Sequence, residues 1–266
     1  MLIPPTFDYF GDTVSIICLI VVIFYSSFCW INKYIPINYG KQLKSFFNFN
    51  LGKMSWFFFE VPNLIIAGWF MTQYTDNLVN YVMLLPFIIH YINRSIIYPM
   101  TLQNNTKPIP IEVCLFATSF TTCNSYLQAK SILSVQESKF SDLFKWNVLL
   151  GYLIFIFGMY INIKSDRYLQ SLKKNLSTAN SKTGEKKNYV IPREGFFVYV
   201  SQANYFGEIV EWVGFAILQT HSQMPWLFAI STLSILSSRA LESHKWYQQT
   251  FKEYPKERKA VIPFIL

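Results

Sequence analysis

The chain is short of charge. Asp, Glu, Lys and Arg make up only 14% of its 266 residues, against about 25% in an ordinary soluble domain. A conventional soluble surface is thereby disfavoured. Cysteine is scarce as well. Cys18, Cys29, Cys114 and Cys123 all sit in apolar stretches, without a CxxC pair and without His at ligand spacing. Buried thiols fit that pattern better than a disulfide framework or a zinc site. G-x-G-x-x-G and P-loop motifs are both missing, so any nucleotide has to be held between helices and not by a Rossmann unit. No His pair has metal-ligand spacing, and no Ser or Cys has a plausible His base beside it, which weakens hydrolase and metalloenzyme readings. Asp8 and Asp12 precede the first apolar run, where a cleaved signal peptide would carry a basic region.

What the chain has instead is hydrophobicity. It is 52% hydrophobic and 18% aromatic. Apolar stretches long enough to span a bilayer occur at 12–31, 54–73, 78–98, 111–133, 146–163, 203–219 and 224–241. The expected fold is all-α: one integral membrane domain over residues 1–266, built as a seven-transmembrane-helix bundle. Lipid leaves only helices or closed barrels, and short-strand alternation is lacking. The net charge of +8 comes from basic residues between the apolar runs, so topology explains it more simply than nucleic acid. Lys33, Lys41, Lys44 and Lys53 follow the first run, Lys107 the third, and a basic series from Lys164 to Arg193 the fifth. The tail adds Lys245, Lys252, Lys256, Arg258 and Lys259. The alternate connections are poor in basic residues, which places the N-terminus in the lumen and the C-terminus in the cytosol. Ser177 to Asn188 reads as a flexible cytosolic loop. The sequons at Asn104 and Asn175 then face the cytosol and are expected to stay unmodified.

Polar groups inside the apolar runs point to a site, because lipid makes them costly. Glu60 lies within Trp56-Phe57-Phe58-Phe59-Glu60-Val61-Pro62. A lone carboxyl there is either protonated and hydrogen-bonded or paired with a cation; the plainer reading is an interfacial Glu. Tyr91, Arg94 and Tyr98 share a helix face at i, i+3, i+7. A phenol can donate to an oxygen that gains negative charge, and Arg94 needs an acidic partner or an anionic ligand; alternatively the three form an aromatic belt with a snorkelling Arg. Asn162 and Asp166, at i, i+4, suit ribose hydroxyls, and Lys173 or Lys174 a phosphate. Ordinary helix-end polarity is the alternative. Asn204, Glu208 and Glu211, at i, i+4, i+7, form one polar face, or else a structural network. Arg239, Ser243 and Tyr247 follow at i, i+4, i+8. Arg239 can balance Glu208 or Glu211, bind a pyrophosphate, or serve as a positive-inside anchor.

Two runs carry a family resemblance. Phe196-Phe197-Val198-Tyr199-Val200-Ser201 leads into Ala203-Asn204-Tyr205-Phe206-Gly207-Glu208-Ile209-Val210-Glu211-Trp212, and the chain ends His244-Lys245-Trp246-Tyr247, then Phe251 to Phe264 around Tyr254-Pro255-Lys256-Glu257-Arg258-Lys259. These resemble the steroid 5α-reductase family, with weaker similarity upstream at Tyr39-Gly40-Lys41, Trp56 to Pro62 and His90-Tyr91 to Tyr98. The resemblance implies a seven-helix enzyme of the endoplasmic reticulum membrane that uses NADPH to reduce the carbon 4–carbon 5 double bond of 3-oxo-Δ4 steroids. It implies that Glu60 and Tyr91 hydrogen-bond the 3-oxo group, with Trp56, Arg94 and Tyr98 on the substrate side. It assigns Tyr39, Lys41, Asn162, Asp166, Lys173, Tyr189, Asn204, Glu208, Arg239 and Tyr247 to the cofactor. Most of these lie in the C-terminal part, 146–266. No metal or nucleic acid is expected; the partners are a lipophilic steroid and membrane lipid, and the protein is expected to be a monomer.

Some positions depart from the family. Lys173 stands where an Arg is common, Phe59 where the animal enzymes often carry Gln, and Ser243 where they carry His; the 103–107 connection is longer than expected. Other expectations stay open. Polyprenol and trans-2-enoyl-CoA reductases share the C-terminal half, S-adenosylmethionine-dependent membrane methyltransferases have a similar tail, and a channel or carrier could line a water path with the same carboxylates.

Overall fold

The computed structural model describes residues 12–31, 53–74, 77–102, 111–135, 137–183, 189–219 and 222–266. Among them every apolar run is helical. Helix α1 is Thr13–Ile31 and α2 is Met54–Gln73. Helix α3 is Leu78–Ile92, continued by a π-helical segment Asn93–Ile97 and a last turn Tyr98–Thr101. Helix α4 is Ile111–Ala129, continued by a second π-helical segment, Lys130–Val135. Helices α5, α6 and α7 are Trp146–Thr183, Ala203–Leu218 and Met224–Thr250. Three of these, α2, α5 and α7, are long and apolar enough to cross a membrane.

One expectation is corrected. Residues 177–183, read from composition as part of a loop, continue α5. The stretch has no Gly or Pro before Gly184, and Leu169, Leu172 and Leu176 keep an apolar stripe at helical spacing. The Thr178 hydroxyl also satisfies the Lys174 carbonyl at 3.1 Å. Residues 184–188 lie outside the described residues.

The burial pattern is inverted relative to a soluble protein. Large apolar side chains such as Ile20, Phe24, Ile65, Trp69, Leu153, Ile156 and Ile230 face outward, while Asn63, Asn124, Gln128, Asn162 and Glu211 are buried. Exposed apolar surface on this scale marks a lipid-facing or partner-facing surface.

Two prolines interrupt helices; at Pro86 a neighbouring helix mends the break, and around Pro62 neighbouring side chains hold the adjacent carbonyls. Pro86 in α3 removes the N–H that would bind the Val82 carbonyl. The Tyr152 hydroxyl of α5 donates to that carbonyl at 2.5 Å. The next carbonyl, Met83, accepts from Gln219 Nε2 at 2.7 Å. Pro62 stands two residues after Glu60 in α2 and removes the N–H that would bind the Phe58 carbonyl. There the Thr121 hydroxyl of α4 donates to the Phe59 carbonyl at 2.6 Å, Ser125 donates to the Asn63 carbonyl at 3.0 Å, and Asn63 Nδ2 donates to the Glu60 carbonyl at 3.1 Å. A buried carbonyl without such a partner costs about 1–3 kcal/mol. The turn that carries Glu60 is therefore held from both sides.

Helices α5 and α6 approach at backbone contact. Gly151 and Gly158 of α5 face Gly214 and Gly207 of α6, and a Cβ built on any of them would fall within 3 Å of backbone atoms across the gap. At Gly207 those atoms belong to Gly158 and Asn162. Gly207→Leu is expected to push the helices apart and cost about 3 kcal/mol through overpacking. Thermal unfolding in detergent measures this. Gly68→Ala is the control, since nothing lies within 4 Å of its Cβ position; equal losses in both variants would contradict the backbone-contact argument.

The C-terminal tail is tied back by backbone bonds. Ser201 N donates to Lys259 O at 2.8 Å, Lys259 N to Tyr199 O at 2.9 Å, and Gln202 N to Ala260 O at 3.1 Å. This zip holds the tail against the start of α6.

Candidate functional site

Arg94 is the hub. It lies in the π-helical segment of α3 and is only 8% exposed. Its Nη1 donates to Asp166 Oδ2 of α5 at 3.3 Å, and its Nη2 lies 3.9 Å from Glu208 Oε2 of α6. The guanidinium carbon lies over two rings: Trp56, with 4.7 Å from Cζ to the centroid, and Tyr98, with 4.8 Å. Those rings also touch each other edge-on at 5.0 Å. A guanidinium can serve both partners because its donors lie in the plane and its faces stack. The extra residue of a π-helical turn re-aims side chains locally, and such turns are frequent at functional sites.

Amides complete the network. Asn204 Nδ2 donates to Asp166 Oδ1 at 2.9 Å, and Asn162 Nδ2 donates to the Asn204 carbonyl at 3.0 Å and to Glu208 Oε2 at 3.5 Å. The glycine contact between α5 and α6 makes these bonds possible, since Asn162 lies directly against Gly207. Two buried atoms of the network have no hydrogen-bond partner among the described residues: Arg94 Nε, a donor, and Asn204 Oδ1, an acceptor. Their opposite polarity suits a ligand rich in both donors and acceptors.

Glu60 and Tyr91 lie beside this hub. Glu60 is half-buried on α2 and within the electrostatic reach of Arg94, Glu208 and Arg239. Among the described residues no cation is in ion-pair contact with it. Tyr91 is 4% exposed and within reach of Glu60. Its ring packs on Phe87 at 4.6 Å and Trp212 at 5.8 Å.

A second cluster forms at the end of α7. Tyr247 stacks on Tyr254 at 5.2 Å and lies against Trp246, which meets Tyr189 at 4.8 Å. Ser201 joins this cluster to the tail: its Oγ lies 2.6 Å from both His244 Nδ1 and the Tyr254 hydroxyl, and 3.1 Å from Lys259 O. Lys173 is exposed on α5, on the same stripe as Asn162 and Asp166 at i+11 and i+7. Tyr39, Lys41 and the 103–107 connection lie outside the described residues. Ser243 is half-buried, and Phe59 packs on Trp56 at 4.9 Å. No group of three His, Cys, Asp or Glu among the described residues could hold a metal ion.

The structure thus gathers Trp56, Arg94, Tyr98, Asn162, Asp166, Asn204 and Glu208 into one network, with Glu60 and Tyr91 beside it, and sets Tyr189 and Tyr247 in the aromatic cluster. Spacing alone missed the partner of Glu211. That partner is His90, whose Nδ1 lies 2.7 Å from Glu211 Oε1, not Arg239. The only signal was a lone histidine in an apolar run.

Comparison with known proteins places this geometry. A family model described as 3-oxo-5-alpha-steroid 4-dehydrogenase matches residues 107–266. The chain is 36% identical over 257 residues to steroid 5-alpha-reductase DET2 of Gossypium hirsutum, covering 93% of this chain and 96% of that one. It is 36% identical over 246 residues to 3-oxo-5-alpha-steroid 4-dehydrogenase 1 of Bos taurus, with 88% and 90% covered. For the Homo sapiens protein of that name the identity is 37% over 220 residues, with 80% of each chain covered. Identity at this level along nearly the whole length, the helical segments included, means that the chain belongs to the 3-oxo-5-alpha-steroid 4-dehydrogenase family of oxidoreductases.

Proposed function

We propose that the chain is a monomeric, seven-span enzyme of the endoplasmic reticulum membrane that reduces the carbon 4–carbon 5 double bond of 3-oxo-Δ4 steroids with NADPH. Its N-terminus is lumenal and its C-terminus cytosolic, as the alternation of basic and non-basic connections requires. The observation that carries the reading is the Arg94 hub. One guanidinium lies over the rings assigned to the substrate side and pairs with the carboxylates assigned to the cofactor side.

The residues present fit NADPH. The partnerless Arg94 Nε and Asn204 Oδ1 offer a donor and an acceptor at the hub. Asn162, Asp166, Asn204 and Glu208 suit hydroxyl and amide groups; Arg239 and Lys173 suit phosphates; Tyr189 and Tyr247 offer ring faces. Tyr39 and Lys41 belong to the same set by family resemblance. NADPH, when bound, supplies the hydride that carbon 5 of the steroid receives. Glu60, as a carboxylic acid, and Tyr91 donate hydrogen bonds to the 3-oxo group. Negative charge grows on that oxygen as the conjugated system is reduced, so donors aimed at it stabilise the transition state more than the ground state; carbon 4 then takes a proton as the enolate returns to the ketone. Trp56 and Tyr98 flank the substrate and exclude water, which strengthens both hydrogen bonds.

Purified protein is expected to oxidise NADPH in step with loss of a progesterone-like or plant-sterol-like enone, and to leave polyprenol and enoyl-CoA substrates unreduced. Binding of S-adenosylmethionine without binding of NADPH would place the chain among methyltransferases instead. NADPH oxidation with polyprenol or enoyl-CoA alone would keep the reductase and remove the steroid.

A further inference from the structure

Helices α3 and α6 are joined by two polar ties that straddle Tyr91. One is Arg94 with Glu208; the other is His90 with Glu211. The second has no part in the chemistry assigned above, yet it is buried completely: Glu211 is 0% exposed and His90 3%. A carboxyl is costly to bury without a reason. The other oxygen, Glu211 Oε2, has no hydrogen-bond partner, so His90 is the only group among the described residues that holds this side chain by a hydrogen bond. Among the described residues the two side chains are hydrogen-bonded to each other and to no third group.

Its surroundings are aromatic. The His90 ring lies 4.4 Å from Trp212 and 4.9 Å, edge-on, from Tyr91. Trp212, the residue after Glu211, also packs on Tyr91 at 5.8 Å and on Phe228 at 4.4 Å. Tyr91 thus meets the His90 ring, which the bond to Glu211 holds in place, and the Trp212 ring, which His90 also touches. Its own carbonyl is engaged by the Ser95 hydroxyl, so its backbone is held from the far side.

We propose that Glu211, acting through His90, is a positioning residue that aims the Tyr91 phenol at the substrate oxygen. The inference rests on the reading of Tyr91 as a donor to the 3-oxo group. A misaimed donor loses much of its strength, because hydrogen bonds weaken steeply with angle. The pair should therefore affect kcat for the steroid and leave cofactor affinity alone.

A double-mutant cycle with the full-length enzyme tests this. Glu211→Leu is expected to lower kcat about 30-fold, with the Kd for NADPH within roughly twofold of the parent. Glu211→Gln, which can still bond His90 Nδ1, is expected to recover to within about threefold. In a Tyr91→Phe background, Glu211→Leu should cost no more than about a further twofold, because residues acting as one unit are non-additive. Full additivity would overturn the proposal, as would Glu211→Leu at parental kcat or with NADPH binding lost. Should Glu211→Leu fail to fold, His90→Phe keeps the ring contact with Trp212 and removes the bond, and the same cycle applies. A Tyr91→Phe enzyme as fast as the parent would instead sink the donor reading itself. The two failures are distinguishable.

Discussion

Glu60→Gln is expected to lower kcat for a 3-oxo-Δ4 steroid by about 10²–10³ while leaving NADPH affinity within roughly twofold. The size follows from the loss of one of two preorganised donors, with an amide N–H in place of a carboxylic O–H. The selectivity follows from geometry. Backbone bonds, not the carboxyl, hold this turn of α2: Asn63 Nδ2 binds the Glu60 carbonyl and Thr121 binds the Phe59 carbonyl. The substitution leaves all of them intact. The Arg94 network also keeps its members, since Arg94 is paired with Asp166 and Glu208. Steady-state kinetics together with direct NADPH binding measure the effect. Loss of cofactor binding in step with kcat would move Glu60 from the substrate to the cofactor.

The sequence makes the helices legible because apolar runs are long and unambiguous, and all seven runs are helical in the structure. It also exposes the polar faces. Asn162 with Asp166, and Asn204 with Glu208, lie at i, i+4, and each pair shares a helix face that meets the other across the α5–α6 contact. What spacing cannot give is the partner on another helix. Arg94 and Asp166 are 72 residues apart, His90 and Glu211 121 residues apart. Arg94, assigned by resemblance to the substrate side, contacts Asp166 and Glu208 as well as Trp56 and Tyr98, which is visible only once α3, α5 and α6 are assembled. The Gly151–Gly158 and Gly207–Gly214 pairs, seven residues apart on each helix, are readable as letters but not as a backbone contact. The repair of the Pro86 break by Tyr152, and the hold of Thr121 on the turn beside Pro62, likewise depend on side chains of other helices. The end of α5 was hidden for a different reason: polar composition resembles a loop even where nothing interrupts the helix.

Arg94→Leu is expected to be the most damaging single change. It leaves Asp166 and Glu208 facing each other in a buried space without the cation between them. Removing one partner of a buried ion pair typically costs about 3–5 kcal/mol, because the remaining charge stays uncompensated. Trp56 and Tyr98 lose the cation that lies over their rings at the same time. Stability, NADPH affinity and steroid turnover should therefore fall together, unlike in Glu60→Gln. Arg94→Lys keeps the charge but loses the planar fork and the stacking, so it should recover stability better than activity. The decisive construction is Arg94→Leu combined with Asp166→Asn. If uncompensated charge causes the instability, the second change restores part of the thermal stability, since a neutral amide can still accept from Asn204 Nδ2. It cannot restore the contact between the two sides of the site, so turnover should stay low. Restored turnover in the double variant would mean that Arg94 only balances charge. An Arg94→Leu enzyme with parental stability would mean that the distances to Asp166 and Glu208 carry little energy. The expected result, partial stability without activity, separates the two jobs this one guanidinium holds.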